Sequence, residues 1–165
     1  MVEAYIAFGS NIGQREANIK KALGFLKEKT KIIKTSSLYE TKPMYIEDQG
    51  WFLNGAAKVE TELTIREFLV FLKSIEQKLG RKAVARNGPR IIDLDILFYG
   101  NQIVSENDLR IPHPKISERP FVLVPLAEIA PNFVHPFCKK TVSKMLSELV
   151  YDKSEIRAQN IPKKS

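Results

Sequence analysis

Gly88-Pro89-Arg90-Ile91-Ile92-Asp93-Leu94-Asp95-Ile96-Leu97-Phe98-Tyr99 reads as a loop that runs into a buried strand. From Ile91 to Tyr99 the only polar side chains, apart from the tyrosine hydroxyl, are Asp93 and Asp95. Two apart in a strand, they point to the same face. Two carboxylates side by side in apolar surroundings are costly unless a cation joins them. Two kinds of cation fit. Mg²⁺ takes one or two protein carboxylates and completes its octahedron with water and phosphate oxygens. A lysine or arginine from elsewhere in the chain would make a salt bridge instead. The Asp-x-Asp spacing by itself does not choose between them.

Immediately upstream, Gly80 to Arg90 contains Arg81, Lys82, Arg86 and Arg90 and no acid. Gly80, Gly88 and Pro89 interrupt regular structure there. Alone, this is a solvated basic loop. Beside an aspartate pair it suits a polyphosphate, with metal on one side and guanidinium forks on the other. Its cations repel one another until a bound polyphosphate supplies negative charge, so the segment is expected to close over substrate as a lid. Arg90, which borders the strand, is expected to be ordered already.

Outward from this stretch, Tyr5-Ile6-Ala7-Phe8 is a short apolar strand ending in a turn at Gly9-Ser10-Asn11. Ile19, Ala22, Leu23 and Leu26 recur at helical spacing. A second strand is predicted from Ile32 to Tyr39 and a third near Phe52 to Glu60, with a loop at Thr41 to Gly50 between them. Thr64 and Glu67 form a capping box for a helix that buries Ile65, Phe68, Leu69, Leu72, Ile75 and Leu79 and stops at Gly80. After the Asp93/Asp95 strand, Gly100-Asn101 predicts a hairpin into Ile103-Val104. Pro120 opens a short helix through Ile129, and Thr141 caps a last one through about Val150.

The order strand-helix-strand-strand-helix-strand predicts an α+β, ferredoxin-like antiparallel sheet with the helices on one face, plus a C-terminal hairpin and helix extension. The other face is then open to carry a site. Asp93 and Asp95 are expected to face it, with Ile92, Leu94 and Ile96 turned toward the helices. Residues 1–150 form one domain in this reading, and 151–165 a polar tail largely without fixed structure.

The 165 residues are 44% hydrophobic and 27% charged, ordinary for a soluble globular chain, and the net charge of +7 favours acidic or phosphorylated partners. A single cysteine, Cys138, forbids an internal disulfide and fits the reducing cytoplasm. Met1-Val2-Glu3-Ala4 shows no basic or apolar leader, so no signal peptide is expected, and no apolar run approaches a membrane span.

Gly88-Pro89-Arg90-x-x-Asp93-Leu94-Asp95 resembles the signature of 6-hydroxymethyl-7,8-dihydropterin pyrophosphokinases, enzymes of folate synthesis. Tyr5 to Asn11, Ser36 to Thr41, Phe52-Leu53-Asn54, Gly80-Arg81, Pro112-His113 and Arg119-Pro120-Phe121 agree with that family in order and spacing, to about Pro136. The resemblance implies transfer of the β,γ-pyrophosphoryl group of ATP to the pterin hydroxymethyl oxygen, with release of AMP. It implies two Mg²⁺ ions on Asp93 and Asp95, with Asp93 also beside the pterin. Asn54, Thr41 and the backbone near Met44 would bind the pterin edge, and Phe52 and Phe121 its two faces. Arg81, Arg90, His113 and Arg119 would meet the ATP phosphates, Arg81 and Arg90 acting in catalysis, and Glu76 would help fix the nucleotide. Departures from the family pattern include Pro114 after the histidine, Asn87 before the Gly-Pro-Arg, and Asp108 where some members carry arginine.

The residues themselves fit those roles. Phe52 and Asn54 share a strand face, which suits a flat heterocycle stacked on a ring and held at its edge. No side chain is required as general base; alignment and electrostatics carry the expected rate gain. Two other readings are weaker. An RNA-recognition domain has the same element order, but Asp93 and Asp95 would repel phosphate where such domains carry aromatics. A Gly-Ser/Asp-x-Asp nucleotidyltransferase keeps its Gly-Ser close to its aspartates, whereas Gly9-Ser10 and Asp93 are most of the domain apart. The resemblance makes ATP and the pterin the expected partners, with no nucleic acid, membrane or obligate protein partner.

Overall fold

Alternation along the first strand divides the molecule into two cores. The structure is a computed structural model and describes residues 1–44, 49–80 and 90–159. Strand β1 (Val2–Ser10) is longer than its apolar centre suggests, because Gly9 and Ser10 continue the ladder. It pairs antiparallel with β4 (Phe52–Thr61) on one side and β5 (Asp93–Tyr99) on the other. Ala4, Ile6 and Phe8 enter one core with Leu53, Ala57 and Val59, while Tyr5 and Ala56 enter the other. A register shift where Tyr5 pairs with Phe98 and Ile6 with Ile96 places both Leu97 and Phe98 in that second core.

The first core is closed by α1 (Arg15–Leu26) and α2 (Ile65–Lys78). The predicted capping box is present: Thr64 Oγ1 accepts from the Glu67 amide, and the Glu67 carboxylate accepts from the Thr64 amide at 2.9 Å. Gly80 adopts φ +86°, the left-handed conformation expected just past a helix end. Ile92, Leu94 and Ile96 lie in this core, as the strand alternation predicts.

The opposite face of the sheet is not bare. Helices α3 (Pro120–Ile129) and α4 (Val142–Glu148) pack on it through Val122, Leu123, Leu126, Ile129, Val142 and Met145, so helices cover both faces. What stays open on this side is the end of the sheet carrying Gly9, Asn54, Asp93 and Asp95. His135, read from sequence as structural or merely exposed, is structural: its Nδ1 accepts from the amides of Phe137 and Cys138.

Three further expectations are corrected. The predicted second strand is two, β2 (Lys31–Thr35) and β3 (Tyr39–Thr41), both paired with β4. Ser36 makes the break: its hydroxyl accepts from the Ala56 amide and donates to its neighbour's carbonyl, competing with the regular ladder. The predicted hairpin from β5 does not form. Instead β6 (Val104–Glu106) pairs with β7 (Leu109–Ile111) in a separate two-stranded sheet. Arg66 on α2 holds that hairpin through Asp108, at 2.8 Å, and Glu106. Finally, the segment from Tyr151 is structured to Gln159. It forms a 3-10 turn and a strand, β8 (Ile156–Ala158), which pairs with β3. The main sheet runs β5-β1-β4-β3-β8, with β2 also on β4. Among the described residues no helix is long and apolar enough to cross a membrane. The expected phosphate lid, residues 81–89, lies outside the described residues.

Candidate active site

Strand register builds the site. Gly9 stands opposite Asn54 on one side and Asp93 on the other, and Ala7 stands opposite Ala56 and Asp95. Directly opposed residues in an antiparallel sheet share a face, so Asn54, Asp93 and Asp95 surround a patch whose intervening side chains are a hydrogen and a methyl. The missing side chain at Gly9 is a requirement. A Cβ there would lie 2.2 Å from Asn54 Oδ1 and 3.5 Å from Phe52 Cδ1.

Above this patch lies a cavity of about 170 Å³. Its floor is Ala7, Gly9, Asn54, Asp93 and Asp95, and its walls include Phe52, Phe121, Thr41, Met44 and Gln49. The buried Asn54 amide donates to Thr41 Oγ1 at 2.5 Å, which fixes the orientation of both groups. Phe121 comes from the first turn of α3, where Pro120 starts the helix, and the Arg119 guanidinium lies 5.7 Å from its ring centroid. Arg90 and Arg119, expected at phosphate, line this same cavity beside the aspartates.

A second cavity, about 340 Å³, is also lined by Asp93 and Asp95. Leu69, Lys73 and Glu76 of α2, Ile96 of β5, Arg110 of β7 and His113 line it. Glu76 is 5% exposed, and its carboxylate accepts from the Leu94 amide at 2.8 Å, between the two aspartates. Helix α2 is thereby tied to the backbone that carries the pair. Burial, and then the positive charges of Arg119 and Lys115, push His113 down to about 4. It is neutral at pH 7, its Nδ1 accepting from the Lys115 amide at 3.2 Å.

The structure thus brings together Thr41, Met44, Phe52, Asn54, Arg90, Asp93, Asp95, Arg119 and Phe121 around one cavity, with Glu76 and His113 on the adjoining one. Arg81 lies outside the described residues. Sequence reasoning missed Asn11. Its side chain accepts from the Arg90 amide at 2.7 Å, its own amide donates to the Arg90 carbonyl at 3.0 Å, and its Nδ2 donates to Gln49 and Gly50. It joins the end of β1 to both cavity-lining loops. The Gly9-Ser10-Asn11 turn signature was the available signal, and it was absorbed as a strand terminator. Lys73 and Arg110 were also missed; on sequence they are ordinary exposed cations.

The family described as 7,8-dihydro-6-hydroxymethylpterin-pyrophosphokinase (HPPK) matches residues 5–131. The chain belongs to this family. It is 40% identical over 148 residues to the 2-amino-4-hydroxy-6-hydroxymethyldihydropteridine pyrophosphokinase of Aquifex aeolicus, covering 90% of this chain and 92% of that one. The Bacillus subtilis protein of the same name is 46% identical over 128 residues, 76% of this chain and 77% of that one. Some relatives are much longer. The folic acid synthesis protein FOL1 of Dictyostelium discoideum is 46% identical over 141 residues, 86% of this chain but only 22% of that protein. In fold, the chain is similar to Plasmodium falciparum HPPK-DHPS, wild type with pteroate, at a TM-score of 0.73 and 20% identity over 89% of this chain and 42% of that one.

Proposed function

We propose that this chain is a Mg²⁺-dependent pyrophosphokinase that transfers the β,γ-pyrophosphoryl group of ATP to the hydroxymethyl oxygen of 6-hydroxymethyl-7,8-dihydropterin, giving the pterin diphosphate and AMP in folate synthesis. The observation that carries it is the position of Asp93 and Asp95 in the wall common to two cavities. One cavity has aromatic sides and an amide edge, which suits a flat heterocycle. The other has a buried carboxylate, a histidine and exposed cations, which suits a nucleotide. A group passed from one ligand to the other crosses the aspartates.

The residues fit Mg²⁺. Asp93 and Asp95 share a strand face, opposite Gly9 and Ala7 of β1, and among the described residues no cluster of three metal-ligating groups occurs. Such a pair suits an ion that draws its remaining ligands from water and phosphate. When bound there, Mg²⁺ neutralises phosphate charge and lowers the pKa of a coordinated hydroxyl. The protein does the rest by placement. Asn54 and Thr41 pair with the ring edge, and Phe52 and Phe121 stack on its faces, each worth about 1 kcal/mol beyond burial. Arg90 and Arg119 line the same cavity as the aspartates and would hold the moving pyrophosphoryl oxygens, the role that the family resemblance also gives Arg81. Neutral His113, its Nδ1 occupied by the Lys115 amide, would donate from Nε2 to phosphate without adding charge, and Glu76 fixes the backbone between the proposed metal ligands.

The sheet order β5-β1-β4, followed by β2 and β3 on the far side of β4, supports a ferredoxin-like reading, with β8 added on the outer edge of β3. The absence of cysteine pairs agrees with a cytoplasmic enzyme. The test is AMP formation from ATP with and without hydroxymethyldihydropterin, in Mg²⁺ and in EDTA. AMP that requires both pterin and metal supports the proposal. AMP formed without pterin, or equal rates in EDTA, sinks it.

A further inference from the structure

The ring-binding cavity leans on β3, and β3 is only three residues long. Thr41, at its end, accepts the Asn54 hydrogen bond, and the chain continues directly into the Lys42-Pro43-Met44 wall. A three-residue strand paired on one side is marginal. Here it is paired on both, because β8 adds to its outer edge with Tyr39 opposite Ala158, Glu40 opposite Arg157 and Thr41 opposite Ile156. The Lys42 amide donates to the Glu155 carbonyl, and the Gln159 amide to the Leu38 carbonyl. By the alternation of an antiparallel ladder, Glu40 and Arg157 are then the pair that exchanges both backbone hydrogen bonds.

Side chains reinforce this join. Lys42 Nζ lies 3.3 Å from the Glu155 carboxylate, and the Arg157 guanidinium lies 4.9 Å from the Trp51 ring centroid. Trp51 precedes Phe52, an aromatic wall of the cavity. Its carbonyl accepts from Arg15, whose other nitrogen pairs with Glu40 at 2.7 Å. Asp152 Oδ1 accepts from the Ser154 amide and hydroxyl, turning the chain into β8. Tyr151, Asp152, Glu155 and Ile156 also close a small space behind Thr41, Met44 and Phe121. Nothing from this segment lines the second cavity. All of it lies beyond residue 131, where the family match ends.

We infer that residues 151–159 are a positioning element for the heterocycle site: β8 orders β3 and so sets the Thr41–Met44 wall, acting on pterin affinity and not on nucleotide affinity. The inference rests on the assignment of the first cavity to the pterin. The test compares the full chain with a chain ending at Val150 and with Arg157→Pro, which removes the central ladder amide but keeps the length. Calorimetry with hydroxymethylpterin and with α,β-methylene ATP measures the two affinities separately. Amide exchange at Glu40 and Thr41, without ligand, measures the order of β3. Both variants should lose at least tenfold in pterin affinity, keep nucleotide affinity within twofold, raise KM for pterin more than they lower kcat, and exchange Glu40 and Thr41 at least tenfold faster. Arg157→Ala keeps the ladder and should stay within threefold of the full chain. Unchanged pterin affinity, equal losses for both ligands, or unchanged exchange overturns the inference while the full chain still binds pterin. Failure of the full chain to bind pterin overturns the site assignment and the inference together.

Discussion

Gly9→Ala is a one-methyl test of the proposed ring-binding site. Gly9 does not sit at positive φ, so alanine suits its backbone and strand propensity favours it by roughly 0.5–1 kcal/mol. The obstacle is Asn54 Oδ1, 2.2 Å from the new Cβ. Contact distance for such a pair exceeds 3 Å, so the amide must move by about 1 Å or rotate. Rotation breaks the 2.5 Å bond to Thr41 Oγ1 in a place where Thr41 is 2% exposed. Leaving a buried partner unsatisfied costs about 1–3 kcal/mol, so net stability falls by at most about 2 kcal/mol. For a domain of this size that is a melting shift of roughly 4–8 °C. Binding suffers more directly, since the displaced amide is the group that would pair with the ring edge. Loss of one or two such hydrogen bonds corresponds to about 10- to 100-fold in Kd. Calorimetry should show that loss for hydroxymethylpterin, with affinity for a non-hydrolysable ATP analogue unchanged. Gly55→Ala is the control. Its Cβ would meet the Phe8 ring at 2.5 Å on the core side of the same strand, and overpacking there costs about 1–3 kcal/mol. That variant should melt lower, with pterin affinity nearly intact. If Gly9→Ala binds pterin within twofold of the parent chain, Asn54 is not the ring-recognising group.

Asp95→Asn should lower turnover at least 100-fold in saturating Mg²⁺ while shifting the melting temperature by only a few degrees; near-normal turnover would remove the metal assignment. Glu76→Ala should cost about 2–3 kcal/mol in urea unfolding, because the buried Leu94 amide loses its acceptor; a smaller change would show that another acceptor serves it. His113, at about 4 in the folded protein, lies below its unfolded value of roughly 6.5. The unfolded chain therefore binds the extra proton between those values. Stability is complete above about pH 6.5 and falls as pH drops toward 4, by at most about 3 kcal/mol. Unfolding of the parent and His113→Gln at pH 7 and pH 4.5 should show a smaller pH loss in the variant, and parallel losses would refute the assignment.

Local patterns in the sequence that have only one packing solution were legible. The alternation from Ile92 to Ile96 decides which residues enter the core, and Thr64 with Glu67 can only start a helix. Phe52 and Asn54 share a face because a strand has no alternative. What sequence did not disclose are choices of partner. Nothing in Val104-Ser105-Glu106 says that it pairs with Leu109–Ile111 and not with β5; the decision involves Arg66, on a helix some 40 residues earlier, which binds Asp108 and Glu106. Ile156-Arg157-Ala158 has too little apolar content to announce a strand and becomes one because β3 offers an unpaired edge. The break at Ser36 likewise depends on Ala56, across the sheet.

The same division explains the site. Asp93, Asp95, Asn54, Phe52, Thr41 and Phe121 come from four separate elements; the aspartates stood out as carboxylates in an apolar strand and Asn54 as an amide sharing a face with Phe52, whereas Thr41 and Phe121 were named only through the family resemblance. Gly9 and Asn11 were passed over because glycine and asparagine in a turn already have a local explanation. Their second role appears only in register, with Gly9 between Asn54 and Asp93, and Asn11 clamping both backbone groups of Arg90. A residue with two roles shows only the local one in sequence. The longer-range role follows once the partner strand is known, and here that role decides whether a heterocycle has room to lie between an amide and a pair of carboxylates.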